Sequence, residues 1–102
     1  MEKKTPHTPL SKIKALVQAG KVKITASSLS GGRAALGKDI KTQDLYDVVL
    51  ALTTTDFYKS MTSHDDHRVW HEVYRPHHSS GVQLYIKLIV DAGVLVVSFK
   101  EK

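Results

Sequence analysis

The sequence predicts an α+β domain, with N-terminal helices packed on a C-terminal antiparallel β-sheet. Two observations predict it. Apolar residues recur at helical spacing in the first half of the chain, and from Val69 onward they alternate with period two. The runs of the second half are joined by short connections, which favour an antiparallel meander. A chain of 102 residues suits one domain covering positions 1–102.

Each element follows from local signals. Thr8-Pro9 reads as an N-cap and first helical residue. Leu10, Ile13, Leu16 and Val17 then share a helical face, Lys12 and Lys14 lie opposite, and Gly20 closes the helix. Val22 and Ile24 alternate with Lys21 and Lys23 in a short edge strand guarded by lysine. Ser27-Ser28-Leu29-Ser30-Gly31-Gly32 reads as a loop that leads into a short helix ending at Leu36-Gly37. Thr42 is placed to cap a helix carrying Leu45, Val48, Val49 and Leu52. Thr53-Thr54-Thr55-Asp56 is a second capping signal, after which Phe57, Tyr58 and Met61 are expected to form another short helix. Residues 63–66 read as a loop. Three strands follow, over residues 69–74, 82–90 and 95–100, with Asp91-Ala92-Gly93 as a turn.

Composition excludes several classes. Cysteine is absent, so there is no disulfide framework, thiolate nucleophile or cysteine zinc site. The apolar share, 41%, is too high for a disordered tail. The longest apolar runs, such as Val94-Leu95-Val96-Val97, are too short to cross a membrane as a helix. Met1-Glu2-Lys3-Lys4-Thr5-Pro6 lacks the apolar stretch of a signal peptide. A small, soluble, cytoplasmic protein is the expectation.

The formal net charge of +5 is unevenly spread. Residues 1–23 carry +5, residues 24–67 carry −2 and residues 68–102 carry +2. Basic ends around an acidic-leaning middle suit a nucleic-acid binder, although a solvated lysine-rich face has the same signature. Gly31-Gly32-Arg33 lacks the Gly-Lys-Ser/Thr ending of a Walker motif and the spacing of a dinucleotide fingerprint.

Strand alternation sorts the later side chains by face. Val82, Leu84, Ile86, Leu88 and Val90 form one apolar face, and Leu95, Val97 and Phe99 another. The opposite side presents Gln83, Tyr85, Lys87, Ser98 and Lys100. A tyrosine among cations can hold a phosphodiester or move a proton. An ordinary solvated sheet face carries the same residue types. His64-Asp65-Asp66-His67 and His77-His78 contain metal-binding residue types but no recognised ligand spacing, and read as polar loops. His71 lies inside a strand and suits either a packed core position or acid–base work near neutral pH.

Several segments resemble one family. Asp56-Phe57-Tyr58-Lys59-Ser60-Met61-Thr62, Val73-Tyr74-Arg75-Pro76, Tyr85-Ile86-Lys87, the closing Val97-Ser98-Phe99-Lys100-Glu101-Lys102 and the opening Lys3-Lys4-Thr5-Pro6-His7-Thr8 are similar to the motility quorum-sensing regulator (MqsR) toxins. The resemblance spans nearly the whole chain and is weakest over residues 25–45. It implies a RelE-like α+β fold and an mRNA interferase of a toxin–antitoxin pair that cuts messenger RNA at GCU-type sites without metal or cofactor. It implies an MqsA-like antitoxin as partner, itself zinc- and DNA-binding, which neutralises the toxin and through which alone operator DNA is reached. Lys59, Tyr85 and Lys100 carry over by motif match. Family members commonly have glutamine where this chain has His71, in Trp70-His71-Glu72-Val73-Tyr74.

The chemistry follows from RNA itself, whose 2′-hydroxyl is a built-in nucleophile. A metal-free nuclease must deprotonate it, neutralise the phosphorane and protonate the 5′ leaving oxygen. Products are a 2′,3′-cyclic phosphate and a 5′-hydroxyl. Lysines supply the positive charge, and His71 is the natural acid or base at neutral pH. The expected catalytic set is Lys59, His71, Tyr85 and Lys100. Lys87, Arg68, Arg75, the N-terminal lysines and Tyr58 are expected to bind RNA through phosphate contacts and stacking, Tyr58 and Trp70 suiting either a stacking platform or a buried core position. Two other classes compete: a catalytically inactive basic module that binds RNA or protein, and a DNA-binding regulator, for which no helix-turn-helix is visible.

Overall fold

The structure, a computed structural model, describes residues 1–101, so Lys102 of the closing segment lies outside the described residues. Its elements in order are β1 (Glu2–Lys3), α1 (Leu10–Gln18), β2 (Val22–Ile24), α2 (Ala26–Leu36), α3 (Thr42–Leu50), β3 (Phe57–Thr62), β4 (Trp70–Tyr74), β5 (Leu84–Asp91) and β6 (Val94–Glu101). The fold is α+β, as the sequence predicts. One six-stranded sheet has the order β1-β3-β4-β5-β6-β2. All neighbours are antiparallel except β2, which runs parallel to β6.

The core forms where apolar periodicity says it should. Ile13 and Val17 of α1, with Leu45 and Val49 of α3 and the following Leu52, pack on Leu84, Ile86 and Leu88 of β5 and Leu95, Val97 and Phe99 of β6. Removing these side chains from water supplies the main favourable free energy of folding. Tyr74 of β4 joins this core, and burial pushes its hydroxyl up to about 12. Ala92 and Gly93 connect β5 and β6 with φ of 51° and 79°, the positive-φ pair of a two-residue hairpin turn. No helix among the described residues is long and apolar enough to cross a membrane.

Four expectations need correction. The segment after Asp56 is not a helix. The Thr53–Asp56 signal closes one 3-10 turn, in which the Asp56 carboxylate accepts from the Thr53 N–H at 2.8 Å. The chain then enters β3, which pairs with β4 on one side and β1 on the other. Distant partners override a spacing that also suits a helix. Residues 27–32 are not a loop but lie within α2, whose N-cap Thr25 accepts from the Ser28 N–H at 3.2 Å. The glycines serve close packing there, because a Cβ on Gly31 would lie 2.5 Å from the Phe99 carbonyl oxygen. Pro9, not Thr8, is the N-cap of α1, since its carbonyl already accepts from Lys12 and Ile13. Lys41, not Thr42, caps α3, and its N–H donates to the Asp44 carboxylate at 2.8 Å.

Candidate active site on the open sheet face

Helices cover one side of the sheet, and the register defines what the other side displays. Tyr85 stands directly opposite Lys100, and Lys87 opposite Ser98, in the β5–β6 ladder. Lys87 is also opposite Val73 of β4, which is opposite Lys59 of β3. Alternation puts His71 on the same side as Val73. The sheet thus brings together Lys59, His71, Tyr85, Lys87 and Lys100, residues spread over four strands. Val73 is fully buried beneath this row, so the site has an apolar floor.

Tyr58 reaches the face through an irregularity. Phe57 pairs with Tyr74 and Lys59 with Val73, so Tyr58 is an extra residue in a β-bulge. Its ring lies 4.0 Å from the Arg75 guanidinium carbon, 4.9 Å from the Lys4 ammonium and 5.3 Å from that of Lys59. Cations gather over aromatic faces because the ring quadrupole attracts them. Tyr58 and Arg75, both expected to bind RNA, therefore form one stacked unit.

Lys59 has a partner that sequence periodicity does not reveal. Its ammonium donates to the Glu2 carboxylate, carried in by β1. That hydrogen bond holds Lys59 above the usual lysine value and Glu2 below the usual carboxylate range. Lys59 is therefore a firm cation rather than a proton acceptor at neutral pH.

Burial holds the His71 imidazole below its usual value, the Lys87 charge pushes the same way and Glu72 opposes. Its Nδ1 is buried with no hydrogen-bond partner among the described residues. A neutral imidazole facing a row of cations suits a proton acceptor. His71 thus combines the two environments open at the sequence level, being partly packed and on the open sheet face.

Arg68 lies elsewhere. It sits in the β3–β4 connection, 91% exposed and paired with Asp66 at 3.1 Å. It borders a groove with Trp70 and His7 rather than the Tyr85–Lys100 row. Trp70 stacks on His7 at a ring separation of 4.8 Å. Among the described residues no three His, Asp or Glu side chains gather as a cation site. Sequence reasoning missed Glu2 and His7, which arrive with Lys4 through an N-terminal arm whose strand is two residues long. Its lysine-rich composition and the resemblance over residues 3–8 marked the arm, but neither gave Glu2 or His7 a role.

These strands are also the segments that carry the family resemblance. A family model, described as motility quorum-sensing regulator, toxin of MqsA, matches residues 5–101, and the chain belongs to this toxin family. A particular relative, the mRNA interferase toxin MqsR of Escherichia coli (strain K12), is 49% identical over 102 residues, with the match covering 100% of both chains.

Proposed function

We propose that this chain is an mRNA interferase, the toxin of a toxin–antitoxin pair, acting as one domain over residues 1–102 in the cytoplasm. The observation that carries this reading is the Tyr85–Lys100 pair opposite each other on an open sheet face, with Lys87, Lys59 and His71 beside it. The substrate is messenger RNA cut at GCU-type sites. His71, held neutral, takes the 2′-hydroxyl proton. Lys59, Lys87 and Lys100 neutralise the charge that develops on the phosphorane. The Tyr85 hydroxyl donates to a phosphate oxygen or the 5′ leaving oxygen. This sequence of steps uses no metal, because RNA brings the nucleophile and the lysines bring the charge.

Arg75 and Tyr58 would hold the strand by phosphate contact and stacking. An MqsA-like antitoxin, zinc- and DNA-binding, would neutralise the toxin and join it in regulating transcription. The test is incubation of the pure protein with a GCU-containing RNA in the presence of EDTA, followed by end mapping. Fragments with 5′-hydroxyl and 2′,3′-cyclic phosphate ends are expected. Binding without cleavage would overturn the enzyme assignment and leave an inactive RNA-binding module.

A further inference from the structure

A groove of about 590 Å³ opens beside the candidate active site. It exists because β4 parts from β5 after Glu72, while its His71 and Trp70 stay paired with β3. β4 pairs with β5 only as far as Leu88, whereas β5 continues to Asp91 and pairs with β6 throughout. Past Leu88 the edge of β5 has no ladder partner in β4, and the groove opens there between β5 and Trp70. Ile89 and Val96 line it and share the outward face with Lys87 and Ser98. Through Ile89 and Val96 the groove reaches the outward face that carries the catalytic candidates, while Trp70 and Val90 belong by alternation to the helix-covered side.

Its wall is a prearranged aromatic pair. The rings of His7 and Trp70 are 4.8 Å apart and 13° from parallel. His7 is exposed, yet its backbone N–H donates to the Glu72 carboxylate at 2.8 Å and to the Ser60 hydroxyl at 3.1 Å. Both acceptors are buried, at 2% and 0% exposure. Burying a carboxylate is costly, and here it fixes the chain at an exposed histidine and sets the imidazole flat on the indole. Lys12 and Arg68 add cations to the rim, and Asp91 adds an acceptor.

We propose that this groove is a nucleobase subsite for the RNA strand. An unstacked base enters beside the His7–Trp70 pair, its phosphate meets Lys12 and Arg68, and an exocyclic amino group faces Asp91. The aromatic wall and the acceptor favour a base over a bare phosphate, because every base has a stacking face while a carboxylate repels phosphate. The inference rests on the interferase reading and extends it from the scissile phosphate to a flanking nucleotide.

Trp70 is the single tryptophan of the chain, so its fluorescence reports this groove alone. The probes are a 2′-O-methyl RNA that binds but cannot be cut, and its cleavable counterpart, each with and without one abasic nucleotide flanking the cleavage site. The 2′-O-methyl RNA is expected to change Trp70 emission, and the abasic version to leave it unchanged. In the cleavable RNA the missing base is expected to lower kcat/KM by at least about fivefold. His7→Ala removes that penalty, and His7→Phe, which keeps a stacking ring, retains it. RNA that is bound and cut without any change at Trp70, or an abasic penalty equal in His7→Ala, overturns the subsite and leaves the interferase reading standing. A Trp70 response without cleavage supports the subsite and overturns that reading. Failure to bind RNA at all overturns both.

Discussion

Glu2 accepts a hydrogen bond from the Lys59 ammonium, a contact between residues 57 positions apart that exists because β1 lies against β3. In the proposed reading the carboxylate competes with an RNA phosphate for that lysine. Glu2→Gln is expected to lower KM for RNA by a factor of about two to five, with kcat little changed, as for release of an exposed ion pair. A raised KM in steady-state cleavage would show that Glu2 orients Lys59 instead of competing for it. The pH sign is set by the lowered carboxylate value. The contact is intact above the ordinary carboxylate range and is lost as pH falls through the depressed value.

The Tyr85–Lys100 pair should respond in kcat. Tyr85→Phe and Lys100→Met each remove one polar group from the face and leave the apolar side of the sheet intact. Each substitution is expected to lower kcat roughly 10²- to 10⁴-fold, the range for a lost acid–base or charge-stabilising group. Single-turnover cleavage measures this directly. A change confined to KM would reduce both residues to binding roles.

His71 should give the acid limb of the pH–rate profile. Its depressed value places that limb below the ordinary histidine range, because the imidazole must be neutral to accept a proton. His71→Gln is expected to lose rate near pH 7 and to lose the limb. An unchanged profile in the variant would mean that position 71 only positions RNA. The same depression makes a stability prediction. The folded state resists protonating His71, so stability falls as pH drops below about 6.5, the ordinary histidine value. His71→Gln flattens this slope in denaturant titrations.

Arg75 is a strand-end cation stacked on Tyr58. If it meets one phosphate, Arg75→Ala should reduce the slope of log affinity against log salt by about 0.7. Fluorescence anisotropy across a salt series reads this. An unaltered slope would place Arg75 on a base or on Tyr58 alone.

Gly31 is a structural test of the site's support. Its Cβ position lies 2.5 Å from the Phe99 carbonyl oxygen, a backbone atom next to Lys100. Gly31→Ala is expected to cost about 1–3 kcal/mol, as overpacking does, and denaturant unfolding measures it. A neutral result would mean that α2 lifts off β6 without strain.

The β5–β6 hairpin is legible in the sequence because alternation, turn residues and partner are all local. Alternation alone places Tyr85, Lys87, Ser98 and Lys100 on one face. The strand over Phe57–Thr62 is not legible. Phe57, Tyr58 and Met61 fall at offsets that also suit a helical turn, and the deciding partners are Glu2–Lys3 and Trp70–Tyr74, far away in the chain. Gly31-Gly32 carries the marks of a loop, whereas Gly31 lets a helix approach a strand backbone. Glu72 reads as a charged residue in an alternating run. Its burial beneath the N-terminal arm depends on Ser60 and His7, which no window around residue 72 contains.

The bulge in β3 separates two properties that a regular strand ties together. Tyr58 has no opposite number in β4, whereas Phe57 and the residues from Lys59 to Thr62 do. Deleting Tyr58 would make Phe57 and Lys59 consecutive opposite Tyr74 and Val73, which is an ordinary ladder. The aromatic platform is therefore an insertion that the sheet tolerates and does not require. Its loss would strip Arg75 and Lys4 of their ring while keeping every pairing that holds Lys59 in place.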